Sequence, residues 1–446
     1  MIINGCAIVT MDGERNEYPS GHISTDGNRI TSVGSGIVSA APGVQVIDAP
    51  GCLATPGFVN THHHLYQWLT RGLAPDATLF QWLTTLYPIW ARIDDELVNL
   101  AASAALARLA RSGCTTSSDH HYVFPRGGGD LLAAEINAAH DVGLRFHACR
   151  GSMDLGQSSG GLPPDHVVED RDAILAASER AIDDWHDTAF DAMVRVALAP
   201  CSPFSVTGEL MRESAELARQ KDVRLHTHLA ETDDEDDYCR EHFGSSPLEY
   251  LEGLGWSGPD VWYAHGIHFD DAAIKRIGAA GTAVAHCPSS NARLGAGIAR
   301  TVDLRAAGAT VGLGVDGAAS SEASSLLEEA RHAVLFARAR GGPEAMTVRT
   351  ALELATLGGA TTLGRGDEIG SLEVGKLADI ALWRLDTPEH AGITDPVAAL
   401  LLGAPPPLKL LLVNGRPVVQ DDVVQTVDEE ALGTRVAAAH KRLVAS

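Results

Sequence analysis

Two hydrophobic rhythms divide this chain. Up to about residue 56 the apolar positions come in short runs: Ile2-Ile3-Asn4-Gly5-Cys6-Ala7-Ile8-Val9-Thr10, then Gly21-His22-Ile23-Ser24-Thr25 and Arg29-Ile30-Thr31-Ser32-Val33 on either side of Asp26-Gly27-Asn28. Short apolar runs bounded by turn residues predict strands, and Asp-Gly between two of them predicts a hairpin. No long helical period occurs there. From Gly57 the rhythm changes to apolar runs of four to seven residues alternating with amphipathic stretches. The runs lie at 58–62, 114–119, 144–149, 194–199, 223–228, 261–265, 282–286 and 310–316. Helical periodicity fills most gaps, as at 96–111, 131–141, 173–185, 208–221 and 324–339.

Eight β-α units in series predict an α/β fold, a (β/α)₈ TIM barrel over residues 57–363. After Gly364 short strands return at 380–383 and 410–413, with a turn at Asn414-Gly415, and 428–444 reads as an amphipathic helix. These strands are expected to pair with the N-terminal ones. A small β-sandwich domain, built from 1–56 and 364–446, would then carry the barrel as an insertion.

Composition narrows the class. Of 446 residues, 45% are hydrophobic and 5% aromatic, which suits a soluble enzyme. The formal charge of −24 argues against nucleic-acid backbones and anionic membranes as partners. No apolar run reaches membrane-spanning length, and Met1-Ile2-Ile3-Asn4-Gly5 lacks the basic start and apolar core of a signal peptide, so a cytoplasmic location is expected. The seven cysteines are scattered without a CxxC, which predicts buried reduced thiols.

The barrel reading directs attention to the residues that follow each strand, where such folds build their sites. They are conspicuously polar: His62, His64, His120, His121, Arg150, Cys201, His228, Glu231, His265, Asn291 and Asp316. In Phe58-Val59-Asn60-Thr61-His62-His63-His64, strand alternation puts His62 and His64 on one face and turns His63 aside. The fifth strand ends Leu225-His226-Thr227-His228-Leu229-Ala230-Glu231, and one of its two histidines can join that pair. Asp316 ends the eighth apolar run. Three imidazoles and one carboxylate suit a zinc-type ion with a position left for water, and such an ion makes hydroxide available near neutral pH. Glu231 can carry the proton, His265 can hold or polarise the hydroxide, and Asp316 can also take a proton from the water. The fourth strand ends in Ala199-Pro200-Cys201 without the lysine that a carbamate bridging two metals would need, which favours one ion.

Residues 65–92 form a long connection rich in aromatics, read as a lid or stacking wall, with Tyr66 and Gln67 nearest the histidines. His140, His166, His186, His242, His332, His390 and His440 read as surface residues.

These residues carry a resemblance. His62-x-His64, His228-Leu229-Ala230-Glu231, His265, Asp316 and the segment Gly370-Ser371-Leu372-Glu373-Val374-Gly375-Lys376-Leu377-Ala378-Asp379-Ile380 resemble the metal-dependent amidohydrolase superfamily, in its single-metal deaminase branch. The resemblance covers essentially the whole chain. It implies one divalent ion, zinc before iron, on His62, His64, His228 and Asp316, so His228 and not His226. Glu231 would shuttle protons, and His265 would contact hydroxide and substrate. A homo-oligomer is also implied.

Three further segments, Asn60 to Arg71, Ser118 to Pro125 and His286 to Gly295, are similar to the bacterial 8-oxoguanine deaminases, and more loosely to guanine deaminases and triazine hydrolases. The implied reaction is hydrolytic deamination of a small heterocycle, 8-oxoguanine to urate and ammonia. Tyr66, Gln67, Arg150 and Cys201 are the expected substrate contacts. Ser321-Glu322 stands where relatives often carry Asn-Asp, which keeps guanine, isocytosine or a triazine open as substrate. The remote alternative is a scaffold without catalysis.

Overall fold

Eight strands that are buried almost throughout can be satisfied only by a parallel sheet covered on both faces, and here that sheet closes on itself. In the computed structural model, which describes residues 1–445, the barrel strands are β1 (Phe58–Asn60), β2 (Cys114–His121), β3 (Arg145–Ser152), β4 (Val194–Pro200), β5 (Arg224–Leu229), β6 (Val261–His265), β7 (Ala283–His286) and β8 (Val311–Leu313). They pair in sequence order, all parallel, and β8 closes on β1 through Leu313 and Asn60. Gly57, just before β1, lies against Thr115 of β2, and a Cβ there would come within 2.2 Å of that side chain.

Four of the outer helices begin behind a capping side chain. Asp94, Asp130, Thr207 and Ser325 each accept a backbone N–H from the first turn of the helix that follows.

Strands β1 and β8 stop earlier than the apolar runs predict. After Asn60 the ladder breaks, and His63–His64 pairs with Asp316–Gly317 as a separate two-stranded ladder. Asp316 has a left-handed backbone (φ +62°), which ends regular pairing there. The Asn60 side chain accepts the Val315 N–H at 2.9 Å, and Asp316 donates its own N–H to the His62 carbonyl at 3.1 Å. The rim that bears the histidines is thus tied to the rim that bears the aspartate.

Both chain ends contribute to one nine-stranded sheet. Cys52–Pro56 pairs antiparallel with Ile380–Arg384, and Ile2–Val9 pairs with Glu17–Asp26. A buried ion pair between Arg145 at the start of β3 and Asp379 just before Ile380 joins this sheet to the lower end of the barrel.

Among the described residues all seven cysteines are free and buried, and no helix is long and apolar enough to cross a membrane. The expectation that His390 lies on the surface is corrected. It is buried because it closes a local turn, bonding Thr387 Oγ1 and donating Nε2–H to the Ala404 carbonyl at 2.8 Å.

Candidate metal centre and its cavity

His62, His64, His228 and Asp316 come together at the C-terminal mouth of the barrel. His64 Nε2 lies 3.1 Å from His228 Nε2, and Asp316 Oδ1 lies 3.3 Å from the Nε2 atoms of both His62 and His64. Ligands about 2.0–2.1 Å from a tetrahedral zinc-type ion stand roughly 3.3 Å apart. His62 Nε2 is buried and makes no hydrogen bond. Burial lowers the pKa values of His62, His64 and His228, keeping these rings neutral with lone pairs to offer, and His64 falls to about 4.

The tautomers follow from the far nitrogens. His64 Nδ1–H donates to the His120 carbonyl and His228 Nδ1–H to the Cys201 carbonyl, each at 2.7 Å. A carbonyl only accepts, so the proton is on Nδ1 and the lone pair on the Nε2 that faces the cluster. His226 does not join the cluster. It stands deeper in the barrel, with Nε2 2.8 Å from His62 Nδ1.

Asp316 is held ionised. Burial pushes its carboxyl up, but the His62 contact and the nearby His265 and His64 outweigh this and hold it well below the ordinary range. Its Oδ2 accepts the Ser290 hydroxyl at 2.5 Å, and its Oδ1 accepts the Gly317 N–H at 2.7 Å. These donors aim the carboxylate at the imidazoles.

Glu231 Oε2 lies 3.6 Å from His265 Nε2. Burial raises Glu231 to about 7, because few dipoles compensate its charge, and His265 only partly opposes this. His265 donates Nδ1–H to the side-chain Oδ1 of Asn291 at 2.9 Å, which leaves Nε2 facing Glu231. Burial would lower the His265 pKa, but the Glu231 and Asp316 carboxylates raise it overall. Glu235 braces the segment by accepting the backbone N–H groups of Ala230 (3.0 Å) and Glu231 (2.9 Å). Ala230 and His265 have left-handed backbones, φ +53° and +74°, so both strand ends carry strain where their side chains must turn into the mouth.

A cavity opens on this cluster. His64, His228, Glu231, His265 and Asp316 line one side, and Gln67 and Cys201 line it too. Both amide atoms of Gln67 are buried without a protein partner. Gly317 makes room for that amide, since a Cβ there would stand 1.8 Å from Gln67 Oε1.

Two expected substrate contacts lie elsewhere. Tyr66 is behind the cavity, packed on Trp90 and His121 with ring centroids 5.3 and 5.1 Å away. Both sit in the 3₁₀ turn Leu65–Thr70, where Gln67 lines the cavity and Tyr66 does not. Arg150 is drawn away by Glu169, which its Nη2 reaches at 2.9 Å, and lies over the Phe124 ring at 3.6 Å.

The wall contains residues the sequence reading passed over. Leu79, Trp82, Leu83 and Tyr87 come from the helix Leu79–Trp90, and Phe204 and Leu294 from loops. The aromatic richness of 65–92 signalled the first group as a stretch without picking its members. Nothing in Ser202-Pro203-Phe204-Ser205 marks Phe204.

The amidohydrolase family model matches residues 53–418. The 8-oxoguanine deaminase of Pseudomonas aeruginosa is 48% identical over 100% of this chain and 99% of its own. An isoxanthopterin deaminase from an unknown prokaryotic organism is 38% identical over 97% of this chain and 95% of its own. Among solved structures, an atrazine chlorohydrolase from Arthrobacter aurescens TC1 complexed with zinc superposes with a TM-score of 0.94 at 34% identity, covering 98% of this chain and 99% of that one.

Proposed function

The chain belongs to the amidohydrolase family and is a metal-dependent hydrolase, and on that premise we propose that it deaminates 8-oxoguanine, with water, to urate and ammonia. The observation that carries this reading is a juxtaposition. Three imidazole lone pairs and an ionised carboxylate meet beside Glu231, in a cavity that presents the unpartnered Gln67 amide.

His62, His64, His228 and Asp316 would hold one divalent ion, zinc before iron. Bound there, the ion supplies Lewis acidity that makes water nucleophilic near neutral pH. Glu231, with a pKa near the working pH, takes a proton from water and delivers one to the departing amine. His265 Nε2, oriented by Asn291, stabilises negative charge developing at the attacked carbon's substituents. Gln67 offers one donor and one acceptor side by side. That pair matches the lactam edge of an oxopurine, where an N–H adjoins a carbonyl. Trp82, Tyr87 and Phe204 supply apolar and aromatic wall against a flat ring and exclude bulk water.

A steady-state comparison of 8-oxoguanine, guanine, isocytosine, isoxanthopterin and a chlorotriazine tests the proposal. The highest kcat/KM is expected on 8-oxoguanine, with one ammonia released per urate formed. Inactivity on it beside strong turnover of another candidate overturns the substrate assignment and leaves the family intact.

A further inference from the structure

His64 and His228 each hand their Nδ1 proton straight to a backbone carbonyl, but His62 does not. Its Nδ1 meets His226 Nε2 at 2.8 Å, and His226 Nδ1 in turn meets the Trp262 carbonyl at 2.9 Å. Both imidazoles have no exposed surface. The Trp262 indole stacks on His226 with centroids 4.4 Å apart and planes 13° from parallel, and its Nε1–H is fixed on the Thr61 carbonyl at 3.1 Å. His226 therefore has little freedom to turn.

We infer that His226 is a positioning residue that fixes the tautomer and orientation of His62, and through it the affinity of the metal centre read above. Trp262 O only accepts, so His226 carries its proton on Nδ1. His226 is fully buried and pairs with no carboxylate that would balance a second proton, so its Nε2 is a bare lone pair. The short contact then requires the proton on His62 Nδ1. That leaves His62 Nε2 bare, as a metal ligand must be, and Nε2 is the buried atom without a hydrogen-bond partner. Without an acceptor at this point the His62 proton is free to move to Nε2, where it competes with the ion. The two-residue spacing of His226 and His228 on β5 gives them distinct duties: one supplies a ligand, the other orients a ligand on β1.

The test uses the full chain stripped of metal, with zinc affinity measured by chelator competition. In His226→Gln the longer amide can place its oxygen where Nε2 stands and accept from His62. In His226→Asn the amide reaches the Trp262 carbonyl but not His62, and His226→Leu reaches neither. We expect Gln to retain wild-type affinity and Asn and Leu to lose roughly 10–100-fold, the usual cost of losing a group that orients a metal-binding histidine. In ¹⁵N spectra of the metal-free protein, His62 Nε2 should show the shift of a bare nitrogen in wild type and Gln and a protonated one in Asn. A change of packing alone would not move that signal in this order.

Equal affinities for Gln and Asn overturn the inference, and so does an unchanged His62 signal. Because both variants keep a polar amide at the site, the comparison stands even where Leu prevents folding. If wild type binds no divalent ion, or His62→Ala binds zinc as wild type does, the metal-centre reading itself falls, a result separate from the ranking of the position-226 variants.

Discussion

Two buried clusters near the mouth of the barrel both combine histidine with carboxylate and have opposite properties. In the first, His62, His64, His228 and Asp316 meet at the barrel mouth, and all but His62 line the cavity. In the second, Asp119, His121 and Glu135 lie behind it, and their potential ligand atoms fall within 4.8 Å of one another. What separates them is where the lone pairs go. Each imidazole of the first cluster spends one nitrogen on a hydrogen bond and keeps the other for the centre. His121 spends both: Nε2–H goes to the Val123 carbonyl at 2.9 Å, and Nδ1 faces Glu135 Oε1 at 2.8 Å.

Burial sets the protons accordingly. It lowers His121 and raises Glu135, favouring the uncharged pair, and a 2.8 Å contact between Nδ1 and Oε1 needs a proton between them. A proton occupies the place an ion would take. The second cluster is a hydrogen-bonded brace. Asp119 Oδ1 accepts the Leu65 N–H at 2.6 Å, immediately after His64, and so holds the segment that carries two of the ligands. Free lone pairs aimed at one point, more than a concentration of histidines and carboxylates, mark a metal centre.

That contrast breaks most visibly at Asp316. Asp316→Ala should lose bound metal and reduce turnover to the background rate, and His228→Ala should do the same, because each opens the ligand set. Elemental analysis beside an activity assay checks both. Normal metal and turnover in either variant would falsify its place in the centre.

Glu231→Gln comes next. It keeps size and hydrogen-bonding capacity but removes the basic oxygen, so metal content and binding of a purine analogue should persist while kcat falls roughly 10²–10⁴-fold. Loss of metal would make Glu231 a ligand, and near-normal turnover would pass the proton to another group.

The pH profile sharpens the same point. Glu231 works as a carboxylate, and burial raises its pKa to about 7, so kcat/KM should fall about tenfold per pH unit below that value. The limb should appear there and not near the ordinary glutamate value. A profile flat from pH 5 to 8 contradicts the role.

The smallest effects belong to the brace. Glu135→Leu removes the donor to His121 and should cost about 1–3 kcal/mol of stability with metal content unchanged, read by denaturant unfolding. Glu135→Gln still has an N–H to give, so its cost should be smaller. Metal loss in either variant would erase the distinction between the clusters.

The sequence was most informative where the chemistry depends on local spacing. The two-residue interval of His62 and His64 and the three-residue step from His228 to Glu231 follow from strand alternation and its end. Asp316 follows from closing an apolar run. The barrel was legible for the same reason, since eight buried parallel strands need eight apolar runs. Strand ends were less so: β1 and β8 stop short because Asn60, His62 and Asp316 bond across the rim, between residues some 250 positions apart.

The sequence by itself therefore determined the order of elements, the end of the barrel that carries the chemistry and the residue types gathered there. Only the tertiary structure decided how those residues are used. Alternation puts His226 and His228 on one face without saying which one reaches the mouth; their depth in the barrel places Nε2 of one against His62 and Nε2 of the other against His64. Glu169 turns Arg150 from the cavity, and of the neighbours Tyr66 and Gln67 only Gln67 lines it. Trp82, Tyr87 and Phe204 become one wall only because a helix and a distant loop meet over the mouth. The physical reason is the range of the forces involved: periodicity reports which face of an element is apolar, whereas a lone pair, a proton or a guanidinium is directed by whichever partner the folded chain brings within about 3 Å.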